Sequence, residues 1–426
     1  MLRLSRLGGY GSLEPGSDHY LDSAEYPDLS RDTITKLVCC FEHEILKMHP
    51  IIMPCDLNSM AETFGQHLAG VEARDSGMAD AGKWKRKRPH RTSAMEHSGQ
   101  YDQSNKKRPS HTLNSAMFLV ILALGKLCLH RAKNSTIHQP PGIEYISLAF
   151  HILTPIRGGW SLQYSQTSIL AAIYYGQLGR FIDSQLHVLD AERALQVHTR
   201  CSLDRLVNNV TPIGNTQDNS VLLAFWTCFQ LERDVIEVVN LPLSTFVYRY
   251  KDAMPWPNVA LLAEHFPPSV AHHFLGHLHL QKRLSDVYSG TTLSPVDFRC
   301  RMFWEEDENR KILLDTNLKF EVEDPPPNDL MEARLRAKFL SVQAAMFRPL
   351  IKTVLSDKTQ LDQAVGAELT VTLQRGISFI IKGIEAFHGL SDENLLGNIF
   401  AIAHSRDLSK FKSWESHRWE KVAMSV

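Results

Sequence analysis

The chain has 426 residues, a net charge of −1 from 46 Lys+Arg against 47 Asp+Glu, and 43% hydrophobic residues. That hydrophobic share excludes global disorder and allows two or three domains or one large helical body. The charge balance excludes a generic nucleic-acid-coating protein while leaving local patches open.

The first 28 residues, rich in Gly, Ser, Pro and acids, read as a loose leader (1–30) without the apolar stretch of a secretory signal. From Thr33 the apolar residues Ile34, Leu37, Val38, Phe41, Ile45 and Leu46 fall on one helical face until Pro50 and Pro54 stop it. A second helix is expected from about Asn58 to Val71, closing a first segment at 31–73. Residues 74–111 lose that periodicity. Lys83 to Arg108 holds nine Lys/Arg and two acids, so this stretch carries +7 and leaves −8 for the rest. It is expected to be a solvated, mobile insert.

A main helical domain follows over 112–404. Helices are expected at 113–130, 143–153, 162–178, 182–197 and 221–239. Gly179-Arg180 reads as a turn. A Pro-rich patch (Pro255, Pro257, Pro267, Pro268) precedes helices at 270–287 and 295–304. Pro325-Pro326-Pro327 breaks the chain before long helices at 330–355 and 361–387 and a shorter one at 394–404. Residues 405–426 form a charged tail. No convincing set of strands occurs, and the fold class is all-α, with roughly ten helices around one or two cores. The longest strongly apolar run, Ala116 to Leu124, falls short of the roughly 20 residues of a membrane span.

Signatures of catalysis are sparse. The seven cysteines are scattered without a C-x-x-C pair, the pattern of ordinary reduced thiols. No phosphate-binding glycine loop and no G-x-S-x-G elbow occurs. His265, His272, His273, His277 and His279 cluster, and His273 and His277 share a helical face as metal ligands would. The segment reads His-Phe-Leu-Gly-His, without the glutamate a zinc protease places after its first histidine, so a helix with polar, partly exposed histidines is the preferred reading. Glu232-Arg233-Asp234 is a charged triplet whose side chains diverge and are expected to pair along their own helix. Cys228, beside Leu222, Phe225 and Phe229, reads as a core thiol. The expectation is a non-enzyme with no catalytic residues, no cofactor and no metal.

The basic insert is the stronger signal. Lys83, Lys85, Arg86, Lys87, Arg88 and Arg91 form one cluster and Lys106, Lys107 and Arg108 a second. Two cationic clusters on a flexible loop suit a nuclear import signal; the loop would also hold phosphate backbones without sequence preference, or simply stay solvated.

Three stretches carry a wider likeness: SLQYSQTSILAAIYYGQLGRFIDSQLHVLDAERALQVH from Ser161, LAFWTCFQLERDVIEVVNLPLSTF from Leu223, and the His49-Pro50 turn within FEHEILKMHPIIMP. With Ala333-Arg334-Leu335-Arg336-Ala337-Lys338-Phe339, Arg348-Pro349, Glu385 to Gly389, Asn398-Ile399-Phe400 and Ala403-His404, they span about residues 35–404 in order. This order resembles the middle homology (regulatory) region of fungal zinc-cluster transcription factors. The resemblance implies an all-α regulatory domain, and a late helix ending at Arg-Pro. It also implies a nuclear role in transcription, often of a biosynthetic or catabolic gene cluster. The family's six-cysteine DNA-binding module is not found, so a regulator of this type is expected to act through protein partners, such as a related full-length factor or a second copy. Nucleic acid would be met only indirectly or non-specifically, and no membrane is involved. The other class weighed is a helical adaptor, suggested by a tetratricopeptide-like spacing from Tyr175 to Ala194 that occurs once.

Overall fold

A computed structural model describes residues 26–80, 109–131, 140–156, 160–208, 214–239, 245–289, 323–356 and 363–390. Among these residues the secondary structure is helical and no strand occurs, so the all-α expectation holds. The helices are α1 (Arg31–Phe41), α2 (Pro54–Asp80), α3 (Leu113–Arg131), α4 (Ile143–Leu153), α5 (Leu162–Gln177), α6 (Phe181–His198) and α7 (Leu203–Val207). They continue with α8 (Thr216–Val239), α9 (Phe246–Tyr250), α10 (Val259–Ala263), α11 (Pro268–Ser289), α12 (Leu330–Ser356) and α13 (Gln363–Glu385).

Helix α3 is apolar all round, and a helix of that kind stays in water only if it is wrapped. Residues Ala116 to Leu124 are buried, and α1, α4 and α5 pack against them. The Leu113–His130 stretch is long and apolar enough to cross a membrane by length and composition, which corrects the expectation drawn from the shorter run. In this fold it serves as a central core helix. Its crossing with α1 is tight at Gly125: a Cβ there would lie 2.1 Å from the Leu37 carbonyl oxygen. Gly142 starts α4 with φ 83, a left-handed conformation that favours glycine, and sits against the Ala123 backbone.

Helices α5 and α6 form the most extensive pair, joined by the expected turn, where Gly179 has φ 73. Ser161 caps α5 by accepting from the Tyr164 amide at 3.2 Å. Helix α8 crosses both and buries Phe225, Trp226 and Phe229, the aromatic face anticipated from their spacing. Trp226 Nε1 donates to the Pro255 carbonyl at 2.8 Å and its ring stacks on Trp256 at 4.1 Å, which ties the Pro-rich segment to α8. That segment is not only a breaker: the short helices α9 and α10 flank it. Asn258 caps α10 through the Ala260 amide at 2.9 Å.

Three boundaries differ from expectation. Helix α2 runs on to Asp80, past Val71 and into the start of the expected insert. After Phe41 the first helix widens into a π-turn over Glu42–Leu46. Helix α12 passes through Arg348-Pro349 to Ser356, as periodicity predicts and against the stop that the resemblance implies. The helices expected at 295–304 and 394–404, and the tail at 405–426, lie outside the described residues.

Candidate functional site: a buried charged layer and its crevice

The largest apolar cluster runs from α1 through α8 to the start of α11, and a second joins the end of α11 with α12 and α13. Between them the side chains change character. Glu232, Arg233 and Asp234 on α8 are buried, as are His277 and Gln281 on α11 and Arg334, Arg336 and Lys338 on α12. Buried ions are tolerated only when paired, because losing water costs each of them several kcal/mol. The question is which of these pairs.

Asp234 accepts from Lys338 Nζ at 3.2 Å, both side chains being only 8% exposed. This corrects the expectation that the Glu232–Asp234 triplet pairs along its own helix: the partner lies on α12. Arg336, two residues before Lys338 and so turned to another side of the helix, donates to the carbonyls of Pro325, at 2.6 Å, and Asp324. It thereby pins the proline segment against α12. Arg334 is one turn before Lys338 on the same side. Only 9% of it is exposed, and burial pushes its guanidinium pKa down while the charge of Asp234 pushes back.

The turn after the first helix brings His49 to the same place. Burial, and secondly the nearby Arg334 charge, hold this imidazole down at a pKa of about 3, so it is neutral. Its Nδ1 is buried without a hydrogen-bond partner. Met48, Gln230, His273, His277 and Arg334 line a crevice closed by Phe274, Met331 and Leu335. It holds about 250 Å³ of empty space counting its open mouth. Its enclosed part has room for about one water. His273 Nδ1 lies 2.7 Å from the Ser269 carbonyl, which makes that nitrogen the donor and leaves Nε2, buried and unpartnered, with the lone pair. Gln230 Nε2 meets His277 Nδ1 at 3.1 Å, which puts the His277 proton on Nε2.

A second pair of charges lies nearby in sequence but serves another purpose. Glu192 on α6 and Glu232 on α8 come together in the core. Burial is the larger cause and the neighbouring carboxylate the second in raising Glu192 well above the carboxylate range. Burial likewise pushes Glu232 up to about 7. Glu192 Oε2 accepts from the Val247 amide at 3.4 Å, in the first turn of α9. Neither oxygen of Glu232 receives a well-formed hydrogen bond; Thr245 first and the Arg233 charge second ease its ionised form. Two buried carboxylates this close cannot both ionise readily, so the pair keeps a proton and holds α9 to α6. Cys228, fully enclosed beside them, has its thiol pushed up by burial, in keeping with a core role rather than that of a nucleophile.

The histidines expected as a possible metal cluster are sent in different directions. His273 and His277 face the crevice, His279 stacks on Trp256 at 3.9 Å, and His265 is exposed. Among the described residues no group of three His, Cys, Asp or Glu side chains converges. The import candidates Lys83, Lys85, Arg86, Lys87, Arg88, Arg91, Lys106, Lys107 and Arg108 lie outside the described residues. What sequence reasoning missed is Arg334 and His49. A His-Pro turn and an Arg spaced one turn before a Lys were visible, but the approach of His49 to Arg334, and of Arg334 to Asp234, depends on tertiary contacts.

Compared with protein-family models, with curated proteins and with solved structures, the chain finds no match.

Proposed function

We propose that this chain is a transcription regulator of the fungal zinc-cluster type, built as a helical regulatory domain that acts through protein partners rather than by catalysis. One observation carries the reading. The sequence blocks that bear the resemblance are far apart in the chain, yet three of them meet in the fold: Met48 of the His-Pro turn lines one crevice with Arg334 and Leu335 of the late helix, His49 feels the Arg334 charge, and Asp234 of the Leu-Glu-Arg-Asp block pairs with Lys338. Stripes that merely filled a core would have no reason to concentrate their charged members there.

A partner-mediated role draws support from α6, which turns Ile182, Leu186 and Val197 outward on one face, each about half exposed. The partner is a related full-length factor or a second copy of this chain, and the proposed site of action is the nucleus, reached through the clusters between Lys83 and Arg108.

The test is chromatin immunoprecipitation of the tagged chain together with its localisation, in parallel with a variant lacking residues 83–108. The expected result is nuclear accumulation that the deletion abolishes, with enrichment at a defined set of promoters. A nuclear chain without enrichment would point to titration of a relative off DNA. Exclusion of the intact chain from the nucleus would overturn the reading in favour of a helical adaptor.

A further inference from the structure

Two buried acceptors on neighbouring helices belong to residues that line the same crevice. His273 on α11 gives its Nδ1 proton to the Ser269 carbonyl at 2.7 Å, so Nε2 carries the lone pair, and that nitrogen is buried without a hydrogen-bond partner. Gln230 on α8 meets His277 Nδ1 through its Nε2 at 3.1 Å, and its Oε1 is likewise buried without a partner. An acceptor withdrawn from water and left unbonded forfeits its hydration with nothing in return. Neither atom can satisfy the other, since both only accept.

The crevice limits what can satisfy them. Its enclosed part has room for about one water, so the ligand has a single heavy atom. A metal cation would suit a nitrogen and an oxygen lone pair, but the Arg334 guanidinium lines the same space and repels it. A halide would be drawn to Arg334, yet it would set its charge against both lone pairs. An apolar gas would leave both acceptors unbonded. Water has two hydrogens, one for each acceptor. It also serves if the Gln230 amide is turned over, by accepting from that side and donating to His273.

We propose that the crevice is the binding site of one structural water, which donates to His273 Nε2 and to Gln230 Oε1 and so joins α11 to α8. A bridge of this kind is nearly as strong as a direct hydrogen bond. It sets the spacing of the two helices at the point where Arg334 and Leu335 of α12 come against them. The inference goes beyond the transcriptional reading and does not depend on it, since the water is observed in the isolated chain without DNA or partner.

The experiment is a crystal structure of the full chain, with a second crystal soaked in sodium bromide, together with magnetic relaxation dispersion of the water oxygen in solution. The second measurement counts the waters held for longer than the protein takes to tumble. The expected density is one peak within about 3 Å of both acceptors, unchanged by bromide. Gln230→Met keeps the length of the side chain and removes both polar atoms, and should hold one long-lived water fewer than the parent. His273→Phe should lose the same water, and the double variant no second one. If a variant does not fold, the two crystals of the parent decide the matter. The proposal is overturned by a crevice without that peak, by a peak that bromide replaces, or by a water count that is the same in the parent and the folded variants.

Discussion

Helix α3 and helix α12 are both buried along their inner lengths, yet they are buried in opposite ways. From Ala116 to Leu124, α3 offers its neighbours only apolar side chains, which need no specific partner and are held by area and fit. From Arg334 to Lys338, α12 offers three cations in two turns, each of which needs an acceptor at a definite place. The first region tolerates any rearrangement that keeps the volume filled. The second specifies how α8, α11 and α12 sit against one another. Stability and specificity are thus divided between two parts of the molecule, and substitutions can separate them.

The largest effect is expected in the apolar region. Phe118 is fully buried and its ring packs on Phe64 with centroids 4.9 Å apart. Phe118→Ala removes that area and leaves a cavity that helices so closely packed can only partly fill. A loss of about 4 kcal/mol is expected in urea unfolding. A loss under about 1 kcal/mol would mean that α3 is not the centre of the core.

Next in size is the anion of the charged layer. Asp234→Asn keeps the shape and removes the charge, taking away the anion that Lys338 Nζ donates to and that offsets the charge of Arg334. The cost should be about 3 kcal/mol. Lys338→Met in the Asp234→Asn background should recover part of it, because the pair removed together leaves one cation fewer to bury. A double mutant no more stable than Asp234→Asn alone would show that the two residues do not interact.

This division also explains what was legible beforehand. Helix α8 announced itself because its apolar stripe runs for several turns, enough for the period to show, and α3 because its apolar run is too long for a strand. The five-residue helices α7, α9 and α10 did not, since a single turn has no period and depends on tertiary packing. The charged layer was illegible for a different reason. In a sequence, Asp234 and Lys338 look like any solvated acid and base, and their pairing spans 104 positions. The same holds for His49, which is polar by composition and deeply buried in fact. The triplet at Glu232 to Asp234 was noticed, but its partners could not be found by looking along one helix.

A smaller effect, and one that depends on pH, comes from the carboxylate pair. Glu232 has a higher pKa folded than unfolded, so between about 4.5 and 7 the folded chain holds a proton that the unfolded chain releases. The stability contributed by this group is present at low pH and lost as pH rises through about 7. Glu232→Gln mimics the protonated form. It should leave stability near the parent value at pH 5 and raise it by about 2 kcal/mol at pH 8.5. Equal effects at both values would mean that the carboxylate does not titrate across this range. His49 works with the opposite sign: neutral when folded down to about pH 3, it is protonated below about 6.5 when unfolded, and its contribution is lost as pH falls.

The smallest change in stability is expected from Arg334→Met, although it removes a charge as deeply buried as those of Asp234 and Lys338. Asp234 loses no hydrogen bond when Arg334 is replaced, because it keeps that from Lys338. Relief of desolvation should roughly balance the lost attraction to Asp234. The variant should therefore unfold within about 1 kcal/mol of the parent, on the more stable side. Proton NMR of His49 gives a second reading. Burial is the larger cause of its low pKa and the Arg334 charge the smaller, so the imidazole should remain neutral well below pH 6 in the variant and titrate somewhat higher than in the parent. A cost of several kcal/mol would mean that the attraction of Arg334 to Asp234 outweighs the cost of burying its charge.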